Sequence, residues 1–204
     1  DLLRRCARNN DPSLWRTFTH LRLNATQRRE CLGVAALNGH LEVVHVLVES
    51  ALSSNVPADP DFLADAVVGS AATGQTRVLD FLMTLPEPMW RPFCDVGLIK
   101  AASRHHTACV ERLWPFVALE DLVRRMNTMQ AWKALDALAP RLSSNDLRTA
   151  LARAPENAAA GARARLASLE LAGTLPRPAK AEALAFPPSI SVVPPLSLKD
   201  LSMI

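Results

Sequence analysis

One pattern recurs along this sequence and limits what the chain can become: two small residues, two variable positions, a residue able to reverse the chain, then an apolar stripe. The clearest copy runs from Cys31 to Glu49, with Ala35-Ala36, Leu37-Asn38 and Gly39-His40 ahead of Val43, Val44, Leu47 and Val48. Small side chains at the end of a helix let a neighbouring segment come close, and glycine has no Cβ to oppose a left-handed turn. The stripe falls at helical spacing and must be covered. A single helix pair cannot cover its own stripe, so a unit of this kind is stable only in a stack.

Further copies follow the same order. Ser70-Ala71-Ala72-Thr73-Gly74-Gln75 precedes Val78, Leu79, Leu82 and Met83, and Ala101-Ala102-Ser103-Arg104-His105-His106 precedes Cys109, Val110 and Leu113, with His105 in the glycine's place. Upstream, Cys6-Ala7-Arg8-Asn9-Asn10-Asp11 precedes Leu14, Trp15 and Phe18. Asn10 tolerates the left-handed region better than most residues. Past residue 118 the pattern fades, but helix pairs are still expected at Leu119 to Met126 with Met129 to Leu138, and at Asn145 to Arg153 with Asn157 to Ala172. Ser144 or Asn145 is the expected N-cap of the latter pair, and Pro155 suits its connection.

From Gly173 the composition changes. Pro176, Pro178, Pro187, Pro188, Pro194 and Pro195 forbid a helix, while Leu184, Phe186, Ile190 and Leu196 are too apolar for a solvated linker. An extended segment lying along a groove is predicted, in this chain or in a partner.

The segment Cys31 to Glu49 resembles an ankyrin repeat: paired alanines, two variable residues, Gly-His, and an amphipathic helix ending in Leu and Glu. The resemblance implies an all-α fold, an ankyrin-repeat solenoid of antiparallel helix pairs with a Pro-rich extended C-terminal tail. Residues 1–118 would form four ankyrin-like repeats, 119–172 degenerate or capping helical repeats, and 173–204 the tail. It further implies a concave face built from the first helices and from projecting fingers. By alignment the variable positions Arg8, Asn9, Asn38, Thr73 and Arg104 line that face beside His105, and Pro86 to Pro92 forms a finger carrying Trp90 and Arg91 at the rim. Trp15, Trp114 and Trp132 fall on helical stripes and are expected in the core.

Composition excludes several alternatives. A formal net charge of +3 is too mild for a nucleic-acid footprint, even with Arg4, Arg5, Arg8, Arg16, Arg22, Arg28 and Arg29 near the start. No apolar run is long enough for a membrane-spanning helix, and no signal peptide is expected at the start of the sequence. Cys6, Cys31, Cys94 and Cys109 lack metal or disulfide spacing and read as reduced thiols in a reducing intracellular compartment. His105, His106 and Cys109 could be written as a metal cluster, yet adjacent histidines point to different sides of a turn and no fourth ligand follows. Acid, base and nucleophile do not converge on a common cleft, so no catalytic residue, cofactor or metal is assigned.

The expected function is therefore capture of a protein partner on the concave face. Opening at Asp1 without Met reads as a piece of a longer polypeptide. The Ala- and Arg-rich, Tyr-free composition with decayed repeats is also similar to the ankyrin domains of bacterial type III secreted effectors, among them the arginine ADP-riboxanases. That resemblance implies a recruiting domain for an NAD-using catalytic part elsewhere in the chain. It also implies secretion into the host cytoplasm and a host protein such as a caspase as partner. The alternative is a structural scaffold autoinhibited by its own tail.

Overall fold

The computed structural model describes residues 8–9, 24–53 and 61–174, and every element in them is helical, with no strand among the described residues. In chain order they are α1 (Ala25–Leu37), α2 (Leu41–Leu52), α3 (Ala64–Thr73), α4 (Thr76–Leu82), the single turn α5 (Glu87–Trp90), α6 (Cys94–Ser103), α7 (Thr107–Leu113), α8 (Leu119–Thr128), α9 (Trp132–Leu138), α10 (Ser144–Leu151) and α11 (Ala160–Thr174). Short 3-10 turns follow α5, α7 and α9. The readings at Cys6, Asn10 and Trp15, and the tail beyond Thr174, lie outside the described residues.

The first helices α1, α3, α6 and α8 end in the same turn. Gly39, Gly74, His105 and Gln130 take φ of 78°, 75°, 61° and 52°. In each turn the next residue's N–H reaches back to a helix carbonyl: His40 to Ala35 at 3.0 Å, Gln75 to Ser70 at 2.9 Å, His106 to Ala101 at 2.9 Å and Ala131 to Met126 at 2.9 Å. These bonds satisfy carbonyls that the helix end would otherwise leave unpaired. The turn at Gln130 corrects the expected helix start at Met129: a left-handed residue cannot lie inside a helix, so α9 begins at Trp132.

Counting from the turn residue gives one core pattern. Val43, Val78, Cys109 and Ala134 lie four positions beyond it, Val44, Leu79, Val110 and Leu135 five, and Leu47, Leu82, Leu113 and Leu138 eight; all are buried. The pairs lie side by side, with α1 against α3, α3 against α6, α6 against α8 and α8 against α10. Ala36, Ala71 and Ala102 are buried where first helices meet, as their small size requires. Ion pairs also cross between units: Arg112 of α7 with Asp80 of α4, and Arg141, in the 3-10 turn after α9, with Glu111 of α7.

The last pair differs. Its N-cap is Ser143, which closes a capping box with Asp146, rather than Ser144 or Asn145. Its second helix starts at Ala160 rather than Asn157, held by Asp136 of α9, whose Oδ1 accepts from the Ala162 N–H at 2.8 Å.

The tryptophans change places with their expected roles. Trp90 does not project from a finger. It is 3% exposed, donates its indole N–H to the Leu85 carbonyl at 2.9 Å, and meets Phe116 edge-on. The reason is local: Pro86 and Pro88 begin a helical turn instead of breaking one, since proline's fixed φ suits a helix start. Trp114 and Trp132, expected in the core, are half-buried at its margin.

Candidate functional site

The row of first helices positions the residues that alignment singled out. In successive units a carbonyl at the end of one helix accepts a side chain of the next unit. His40 Nε2 donates to Arg8 at 2.7 Å, Thr73 Oγ1 lies 2.9 Å from the Leu37 oxygen, and Arg104 Nη1 donates to Ala72 at 3.0 Å. These helix-end carbonyls have no partner within their own helix, so a donor from the neighbour satisfies them and fixes one unit on the next. Thr73 and Arg104 therefore spend part of their hydrogen-bonding capacity inside the fold.

Above these ties lies an open cavity of about 660 Å³ across α1, α3 and α6, and Arg8, Asn38 and Arg104 all line it. Its middle is apolar, with Val34, Leu37 and Val68; Leu37 is 47% exposed. Glu30 and Asp65 border it toward the beginnings of the helices, and Lys100 reaches it from α6. Asp65 pairs with Arg29 across the α1–α3 junction at 3.4 Å.

Of the other predicted face residues, Asn9 and His105 are exposed but do not line this cavity, and Thr73 lies beside it. Arg91 is exposed, pairs with Glu87, and belongs to a separate cavity of about 530 Å³ near Asp95, Phe116 and Arg125. Trp90 is removed from the set by its burial. Sequence reasoning missed Val34, Val68, Lys100, Glu30 and Asp65. They were visible as positions five, six and nine before each turn residue, on the same side of the first helices.

The structure also assigns the groups considered for chemistry. Cys31, Cys94 and Cys109 are buried free thiols. Burial pushes the Cys94 thiol up to about 12, with Asp95 adding to the effect, and burial likewise raises Cys109. Neither is poised as a thiolate. His105 is exposed at its turn, His106 is the residue before α7 and makes no side-chain capping bond, and Cys109 is buried in the core, so the three do not converge. Among the described residues no group of three or more His, Cys, Asp or Glu side chains could hold a metal ion, and no helix is long and apolar enough to cross a membrane. A third cavity of about 780 Å³ lies between α8 and α10; Asn127 lines it, and its buried Oδ1 has no hydrogen-bond partner.

No family model, curated protein or solved structure matches this chain.

Proposed function

We propose that this chain is an ankyrin-type recognition module that captures a partner protein on its row of first helices, with no bond chemistry of its own. The observation that carries the reading is the recurrence of one left-handed turn at Gly39, Gly74, His105 and Gln130, each followed by the same buried positions. Such recurrence lays first helices side by side, and the variable residues before each turn then share one surface. Arg8, Asn38 and Arg104 lining one open cavity accords with that arrangement. An open, shallow face of mixed polarity suits a protein surface better than a small molecule, which needs enclosure. In a longer polypeptide the module would bring a substrate to a catalytic part, as the effector resemblance implies, with a host protein as the substrate.

The test is affinity capture from host-cell extract with the wild-type chain and two sets of variants. Lys100→Glu with Arg104→Glu alters the first-helix face, and His45→Ala with Glu49→Ala alters α2. A partner held by wild type and by the α2 variant but lost with the first-helix variant supports the reading. Retention by the first-helix variant and loss with the α2 variant would refute it.

A further inference from the structure

The groove over α1, α3 and α6 has an asymmetry that narrows the kind of segment it accepts. Glu30 and Asp65 stand at one border, Arg8 and Arg104 at the other, with Lys100 on the α6 side and Val34, Leu37 and Val68 between. Along α1, Glu30 and Asn38 are separated by about 12 Å at 1.5 Å per residue. An extended peptide covers that distance in about four residues. The two borders are not equally available. Asp65 already has Arg29 beside it, whereas Lys100 and the side chain of Arg8 have no ion-pair partner among the described residues. Arg104 gives one guanidinium N–H to Ala72 and keeps others, since a guanidinium carries five donors.

We propose that this groove binds an extended peptide segment of a partner that seats an apolar side chain on Leu37, Val34 and Val68 and places a carboxylate, about two residues away on one side only, against Lys100 and Arg104. The proposal deepens the recognition reading and rests on it. The apolar floor supplies burial, and the cations supply direction. A second carboxylate on the other side of the anchor meets Glu30 and an Asp65 that already holds Arg29, so no cation is offered to it there. The selected segment is therefore acidic on one flank and neutral or basic on the other.

The test is selection of phage-displayed random dodecapeptides on the full chain, with overlapping segments of residues 175–204 included in the library. The expected consensus is an apolar residue with a carboxylate on one flank only. Against a selected peptide, Lys100→Glu with Arg104→Glu should weaken binding about tenfold, because each exposed charge pair is worth a factor of up to about five. Lys100→Ala, a change at an exposed helix position, should show part of that loss, and thermal melts confirm that each variant is folded. Asp65→Asn should allow carboxylates on both flanks. An unchanged consensus with both charge variants, or no enrichment at all, overturns the proposal. Enrichment of the chain's own 175–204 segments gives the groove to its tail, and a dimer dissociated by Arg104→Glu gives it to a second copy; either also overturns it. The recognition reading fails separately, by a captured protein that ignores the first-helix face.

Discussion

Gly74 is the turn residue whose replacement separates two costs. It bends α3 into α4 at φ +75°, and a Cβ built there would lie 2.8 Å from Nδ1 of His106 in the next unit. Gly74→Ala must therefore accept a left-handed conformation, at about 1–2 kcal/mol, and displace the imidazole, at about 1–2 kcal/mol more by analogy with overpacking. The expected loss is about 2–4 kcal/mol. In a His106→Ala background the second cost vanishes and about 1–2 kcal/mol remains. The chain already contains the second arrangement: His105 holds a side chain at φ 61°, and the equivalent residue of the next unit is Ala131. Urea denaturation followed by far-UV circular dichroism on the four proteins of the cycle gives the coupling directly. Equal losses in both backgrounds would refute the claim that each turn is packed by the unit that follows.

Other outcomes follow from the same packing. Trp90→Ala should destabilise the fold by about 3–5 kcal/mol, because it empties a buried site and orphans the Leu85 carbonyl; a melt within 1 °C of wild type would contradict the burial. Ala36→Leu or Ala71→Leu should each cost about 1–3 kcal/mol by overpacking the junction of first helices, read as a lower denaturation midpoint. Cys94 has its thiol raised from 9.0 to about 12, so the folded state keeps the proton that the unfolded state releases. That contribution is complete below pH 9.0 and is lost as pH rises toward 12. A Cys94→Ala variant should accordingly lose less stability than wild type on going from neutral to alkaline buffer in paired chemical melts.

Much of this arrangement was legible in the sequence because the turn uses residues with a physical signature. Gly39 and Gly74 announce a left-handed position, and Ala36 and Ala71 announce a close helix contact. His105 could be found only by what surrounds it. The turn at Gln130 was missed because the preceding pair is Met126-Asn127 instead of two small residues, and because nothing about Gln130 itself suggests positive φ. The apolar offsets Ala134, Leu135 and Leu138 would have revealed it, since they repeat the spacing that follows Gly39. Trp90 was misplaced for a different reason: prolines at a helix start and in an exposed loop look alike in sequence. The groove was half legible. Arg8, Asn38 and Arg104 were read as turn neighbours, whereas Val34, Val68 and Lys100 become neighbours only when first helices lie side by side.

The central claim is that the first helices form the contact surface for a protein. Hydrogen–deuterium exchange of the chain alone and with a captured partner tests it most directly, because backbone amides report contact without presupposing which side chains matter. The expected result is slowed exchange in α1, α3 and α6 around Leu37, Gly69 and Arg104, with α2, α4 and α7 unchanged. Slowed exchange confined to α2, α4 and α7, with the first helices unaffected, would contradict it.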